Sequence, residues 1–158
     1  MYAYFAGGCF WCITPIFEEI PGVISVTCGY CGGDEVNPTY EDVKSQSTGH
    51  RETIRVEYDE NKVDYDDLLR IFFDNVDLTD DGGQFIDRGF SYTLAVYYVN
   101  DEQKEKVQKK IASYKEKIFV VVEKYKEFYV AEEYHQDYYL KNPEAFEKEL
   151  VESGRKGK

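Results

Sequence analysis

Four cysteines, Cys9, Cys12, Cys28 and Cys31, lie in the first 31 residues of a 158-residue chain, and the rest of the chain has none. Their spacing, Cys-x2-Cys-x15-Cys-x2-Cys, opens two chemistries. Four thiolates spaced this way match a structural zinc site. A single Cys-x-x-Cys pair matches thiol–disulfide exchange. The plain alternative is four small buried hydrophobes, because free cysteine is among the most buried residue types. The surroundings of the first pair favour redox chemistry. Gly7-Gly8-Cys9-Phe10-Trp11-Cys12 stands where a strand pattern ends and a helix pattern begins. A thiol there feels the positive end of the helix dipole and free backbone N–H groups, and both favour thiolate. The glycines admit a close approach to the sulfur. Phe10 and Trp11 supply an apolar wall, suited to a substrate with a small apolar group beside its reacting atom. Zinc fits this half less well, since Cys12 runs on through Ile-Thr-Pro into a helix. Cys28-Gly-Tyr-Cys31-Gly-Gly is a better zinc knuckle, but strand alternation turns Cys28 inward with Val26 and Tyr30.

The elements that position these residues follow from hydrophobic periodicity. Tyr2 to Ala6 reads as a strand. Ile13, Ile16, Phe17 and Ile20 recur at helical spacing up to Pro21-Gly22, with a start at Thr14 or a bend at Pro15. Ile24, Val26, Cys28 and Tyr30 share one strand face, and Gly32-Gly33-Asp34 is a turn. Arg51 to Tyr58 alternates, with Ile54, Val56 and Tyr58 on one side. Asp64 to Asn75 carries the helical stripe Leu68, Leu69, Phe72 and Phe73. The segment 76–89 is a long Gly/Asp-rich loop, of a length that suggests function. Tyr92 to Val99 reads as a strand, Asp101 to Lys117 as an exposed helix, and Phe119 to Glu123 as a short strand. Residues 128–152 are aromatic and partly helical. The order β-α-β-β-α-β predicts an α+β fold, a two-layer ferredoxin-like split βαβ core with an extra strand and a C-terminal aromatic segment. One catalytic domain is expected over 1–150, with a basic tail at 151–158.

Composition bounds the partners. Hydrophobic residues make up 42% and aromatics 16%, enough for a real core. Thirty-one acidic residues against 19 basic ones give a net charge of -12. Such a chain repels phosphate backbones, so neither nucleic acid nor an anionic membrane surface is expected as a partner. No apolar run is long enough to span a membrane. The first residues carry no secretory pattern, so a cytoplasmic location is expected.

The chain resembles the A-type peptide-methionine sulfoxide reductases. Six blocks carry the resemblance, in order and at consistent spacing. They are Gly8-Cys9-Phe10-Trp11, Gly29-Tyr30-x-Gly32-Gly33 and Asn37-Pro38-Thr39-Tyr40-Glu41-x-Val43, then Thr48-Gly49-His50-x-Glu52, Val56-x-Tyr58-Asp59 and Phe128-Tyr129-x-Ala131-Glu132-x-Tyr134-His135-Gln136-x-Tyr138. The resemblance implies that Cys9 attacks the sulfoxide while Glu52, Tyr40 and Tyr92 hold and protonate its oxygen. It further implies that Phe10 and Trp11 receive the S-methyl group and that Asp87 binds the substrate backbone. The cycle it implies passes through a Cys9 sulfenic acid and a disulfide, recycled by a thioredoxin-type reductant, with no metal or cofactor. The chemistry agrees: a sulfoxide sulfur becomes a good electrophile once its oxygen is protonated, which needs a carboxylic acid kept neutral by an apolar site.

This sequence departs from the family pattern in two places. The loop Gln84-Phe85-Ile86-Asp87-Arg88-Gly89-Phe90-Ser91-Tyr92 keeps Asp87, Gly89 and Tyr92, but carries Ile86 and Ser91 where the family has Asn and Gln. Lys44 takes a position where many members carry a resolving cysteine. The first candidate for resolution is then Cys12, which would share a helix side with Cys9 at a spacing of three if the segment is helical. Its rival is Cys31, expected in a Gly-flanked loop. Cys28 or an external thiol would be the remaining route. Taken singly, Glu52 reads as a solvated strand carboxylate, Tyr40 and Tyr92 as ordinary tyrosines, and His50 and His135 as structural. Two other functions remain open on the residues alone, a zinc-stabilised binding module using all four cysteines and a general dithiol oxidoreductase.

Overall fold

The structure, a computed structural model, describes residues 1–153. β1 (Tyr2–Gly7) ends at Gly8, whose φ of 89° suits glycine, and the chain turns at once into α1 (Phe10–Glu18). β2 (Val23–Cys31), α2 (Tyr40–Lys44), β3 (Arg51–Tyr58) and α3 (Tyr65–Asp74) follow. A two-residue hairpin, β4 (Gly83–Gln84) and β5 (Asp87–Arg88), leads through a 3₁₀ turn (Phe90–Tyr92) into β6 (Leu94–Tyr98). The chain closes with α4 (Asp101–Ala112), β7 (Val120–Lys124), β8 (Phe128–Val130), a second 3₁₀ turn (Glu133–His135), α5 (Tyr138–Lys141) and α6 (Pro143–Ser153).

Six strands form one sheet in the order β7-β6-β1-β3-β2-β8. Neighbours are antiparallel except β6 and β7, which run parallel. The crossover β1–α1–β2 skips over β3, and β3–α3–β6 skips over β1. Both helices therefore lay their apolar stripes on one sheet face, and the architecture is α+β. That face buries Phe5, Ile54, Val56 and Leu94 against Phe10, Ile13, Phe17, Leu68 and Phe72. Phe5 lies at the centre, stacked on Phe17 at 5.4 Å and on Phe72 at 4.9 Å. Each such side chain contributes roughly 1.5–3 kcal/mol by leaving water. The opposite face carries a smaller cluster of Tyr4, Ala6, Cys31, Ala95, Tyr97 and Phe128.

Local signals explain where elements start. Asp64 caps α3 in a reciprocal box with Asp67, and Asn100 caps α4. Several expectations are corrected. α1 begins at Phe10, before Thr14, and holds Pro15 inside, while Thr14 Oγ1 donates to the Phe10 carbonyl at 2.6 Å. Ile24 does not share the inner face. A register shift between Val23 and Ser25 turns it outward, and it is 64% exposed. Tyr92 sits in a 3₁₀ turn ahead of the strand, and α4 ends at Ala112. α6 takes the first residues of the expected basic tail, and 154–158 lie outside the described residues.

Candidate active site

Four elements converge on Cys9. The residue is the N-cap of α1, and Cys12 N donates to its carbonyl at 3.1 Å. Its thiol is buried and hydrogen-bonded to that of Cys12. That bond, the burial, and the negative fields of Cys12, Glu52 and Asp87 push the thiol well above its ordinary value. The resting group is therefore a thiol, so the helix dipole does not win here.

Glu52 reaches the same place from β3. It continues the inward register of Ile54, Val56 and Tyr58 and is 1% exposed. Its Oε1 accepts from Phe10 N at 3.2 Å, which ties the carboxyl to the first turn of α1. Burial pushes it up to about 8, helped by the charge of Asp87 and opposed by hydrogen bonds from Phe10 N and Tyr92. At neutral pH the group is a carboxylic acid with a proton to give. Tyr92, from the 3₁₀ turn, meets Glu52 on one side and Tyr40 on the other. Burial raises both phenols, so they remain neutral donors. Tyr40 opens α2, where Thr39 caps the helix and Glu132 Oε2 accepts from Tyr40 N at 3.0 Å. Asp87, on β5, is half-buried, and its field acts on Cys9, Glu52 and Tyr92 together.

Phe10 and Trp11 play different parts. Phe10 is fully buried, packed on Tyr30 and His135, and its backbone holds Glu52. Trp11 is only half-buried. Its ring stacks on Tyr138 at 4.0 Å, and its Nε1 donates to His135 Nδ1 at 3.0 Å.

The C-terminal segment supplies several groups that the sequence reading left structural or unremarked. Glu132 accepts from Tyr30 OH at 2.8 Å as well as from Tyr40 N. Gln136 accepts from Cys28 N at 2.9 Å and donates to the carbonyls of Cys28 and Ala131. Both belong to the Glu132-x-Tyr134-His135-Gln136 block, the one available signal. Gln46 was missed with no local signal. It bonds Ser91 through Nε2 to Oγ and through Oε1 to N, each at 2.9 Å, and so ties the turn bearing Tyr92 to the end of α2. Ser91 thus has a partner of its own here, while Ile86 is exposed.

The remaining cysteines do not converge. Cys28 faces α1, with Sγ 3.3 Å from Thr14 Oγ1, and burial pushes it up to about 12. Cys31 is the last residue of β2, paired with Arg51 and Phe128, not part of a mobile loop. It points to the opposite sheet face, fully buried and raised to about 12. Among the described residues, no group of three or more His, Cys, Asp or Glu side chains is placed to hold a metal ion. With Cys31 across the sheet from Cys28 and α1, the four-cysteine zinc module has no support.

The arrangement thus joins a sulfur nucleophile to a neutral acid and two phenol donors, with a second thiol in contact. Comparison with known proteins adds a decisive match. The family profile described as peptide methionine sulfoxide reductase covers residues 1–157. The chain belongs to that family. Peptide methionine sulfoxide reductase MsrA of Bacillus licheniformis is 45% identical over 161 residues, covering 98% of this chain and 89% of that one. Among solved structures, reduced Mxr1 from Saccharomyces cerevisiae matches with a TM-score of 0.82 and 28% identity, over 90% of this chain and 86% of that one. Mxr1 in complex with Trx2 matches with a TM-score of 0.53 at 19% identity, over 87% and 84% of the two chains, a likeness of fold alone. The reductase family's sequence blocks all map around the Cys9 site or onto the strands that carry it. No helix among the described residues is long and apolar enough to cross a membrane.

Proposed function

We propose that this chain is a thiol-dependent reductase of methionine S-sulfoxide, free or in proteins, with Cys9 as nucleophile. The observation that carries the reading is the meeting of the Cys9 thiol with a buried, neutral Glu52 that shares hydrogen bonds with Tyr92 and Phe10 N. Glu52 protonates the sulfoxide oxygen while Tyr40 and Tyr92 donate hydrogen bonds to it. The Cys9 sulfur, giving up its proton, attacks the sulfoxide sulfur. The oxygen ends on Cys9 as sulfenic acid and methionine leaves as the sulfide, so one sulfur loses the electron pair that the other gains. The Cys12 thiol then attacks the Cys9 sulfur, water leaves, and a Cys9–Cys12 disulfide forms.

Cys12 is the resolving cysteine in this reading, because its thiol already contacts that of Cys9. Cys31 as resolver would require β2 to unpair. Asp87, at the rim, takes the substrate backbone, and Trp11 with Phe10 forms the methyl pocket. A dithiol reductant of the thioredoxin class closes the cycle; the yeast relative is described in complex with Trx2. Cytoplasmic placement belongs to the same reading, since thiols must be regenerated at every turnover. So does a ferredoxin-like description of the core, supported by the order β6-β1-β3-β2 and the two strand-skipping crossovers. The test is Cys9→Ser. Methionine formation should vanish while the circular dichroism spectrum and melting temperature stay near wild type. Substantial turnover in a folded Cys9→Ser protein would sink the proposal.

A further inference from the structure

At the end of the sheet where β3, β6 and β7 begin lies a cavity of about 450 Å³ lined by Arg51, Asp81, Phe90, Thr93, Leu94 and residues 118–121. Its walls are mainly apolar, and Arg51 stands out among them. The residue is only 5% exposed, in a chain of net charge -12. Yet among the described residues it makes no ion pair; the arginines that do are Arg70 and Arg88. Arg51 Nε donates to Thr93 Oγ1 at 2.8 Å and Nη1 donates to Tyr97 OH at 3.1 Å. Phe90 covers it at 4.3 Å from ring centroid to Cζ. A guanidinium carries five N–H donors, and these two bonds leave Nη2 and half of Nη1 unused. An arginine is almost never buried so far without an anion, because its charge cannot be discharged by losing a proton.

We infer that this cavity is a binding site for a small carboxylate with an apolar body, such as a branched-chain or aryl monocarboxylate. The carboxylate would lie across Nη1 and Nη2, the planar fork that matches its two oxygens. The apolar body would rest on Leu94, Ile118, Phe119 and Val121. Exposed Asp81 lines the same cavity and competes for the guanidinium, so it sets a ceiling on affinity. The site is separate from the reductase centre. Arg51 and Thr93 adjoin Glu52 and Tyr92 in sequence, but their side chains lie on the opposite face of the sheet.

The test is a titration of 4-methylpentanoate against 4-methylpentanamide, followed through backbone amide shifts. The carboxylate should give saturable shifts at 90–94 and 118–121, with the amide weaker on the order of tenfold, the charge-assisted part of the fork. Asp81→Asn should tighten carboxylate binding several-fold, and added salt should weaken it. Arg51→Met should remove the preference for carboxylate over amide. Should that variant fail to fold, Val121→Trp fills the cavity from the half-exposed edge strand and should abolish binding in a folded protein. No saturable shift at these amides, equal binding of the amide, shifts confined to the surroundings of Cys9, or normal binding in Val121→Trp would each overturn the inference.

Discussion

Glu52 is the residue on which the chemistry turns, and its environment makes two pH predictions. Its folded value of about 8 lies above the 4.5 of a free carboxyl. The native state therefore holds a proton that the unfolded chain has lost between these values, and stability falls as pH rises through that window. The neutral acid's full contribution is present below about 4.5 and gone above about 8. Glu52→Gln cannot titrate, so wild type should lose stability relative to this variant by up to about 1.4 kcal/mol per pH unit across the window. Urea unfolding of both proteins at several pH values measures this; parallel pH curves would contradict it. Activity adds an independent readout. Glu52→Gln keeps a hydrogen bond but has no proton to give, so kcat/KM should drop on the order of 10²-fold. The wild-type profile should fall above about 8, and that limb should be missing in the variant. Glu52 was legible only through the family resemblance, since taken singly it reads as a solvated strand carboxylate; the fold adds its place on the buried face with Ile54 and Val56. The raised state of Cys9 was not legible. A helix start predicts thiolate, and only the folded chain shows Cys12, Glu52 and Asp87 around the sulfur.

At the scale of elements, α1 and the C-terminal segment deserve separate tests. Pro15 lies inside α1 and lacks the N–H that would bond the Trp11 carbonyl. The first turn is thereby left loose where Cys12 must move to close a disulfide. Pro15→Ala should stabilise the protein by about 1 kcal/mol, the gained helix bond less the lost chain restriction. It should also slow disulfide closure in a single turnover. Faster closure would argue against a loosened turn. Gln136 acts as a short substitute strand, since β8 pairs with β2 only from Gly29 onward and the Cys28 backbone is met by this side chain. Gln136→Ala leaves that N–H without a partner, while the carbonyl keeps its bond from Ala131 N, and should cost about 1–2 kcal/mol. A change under about 0.5 kcal/mol in urea unfolding would show that water replaces the amide freely. The helices and long strands were legible because their period is local. β8 and the strand character of Cys31 were not. Gly32-Gly33 reads locally as a loop, and only pairing with Arg51 and Phe128 draws β2 through Cys31.

The whole molecule is knit from its ends. Trp11, near the start, is held by His135 and Tyr138, more than a hundred residues later. No sequence periodicity reports that contact, although the ordered family blocks place both partners in one constellation. Trp11 is the single tryptophan, so its fluorescence reports C-terminal docking and the site at once. Unfolding followed by Trp11 emission and by far-ultraviolet circular dichroism should coincide, as one cooperative unit requires. An earlier fluorescence transition would mean that the C-terminal segment undocks on its own. The proposed cycle requires oxygen to pass to Cys9 and Cys12 to resolve it. Peptide mass analysis after one turnover with methionine sulfoxide, without reductant, tests both. One equivalent of methionine should appear, with a linked Cys9–Cys12 peptide short of two hydrogens. In Cys12→Ser the same methionine should appear with sulfenic acid trapped on Cys9. Methionine formed while Cys9 remains a free thiol would contradict the account.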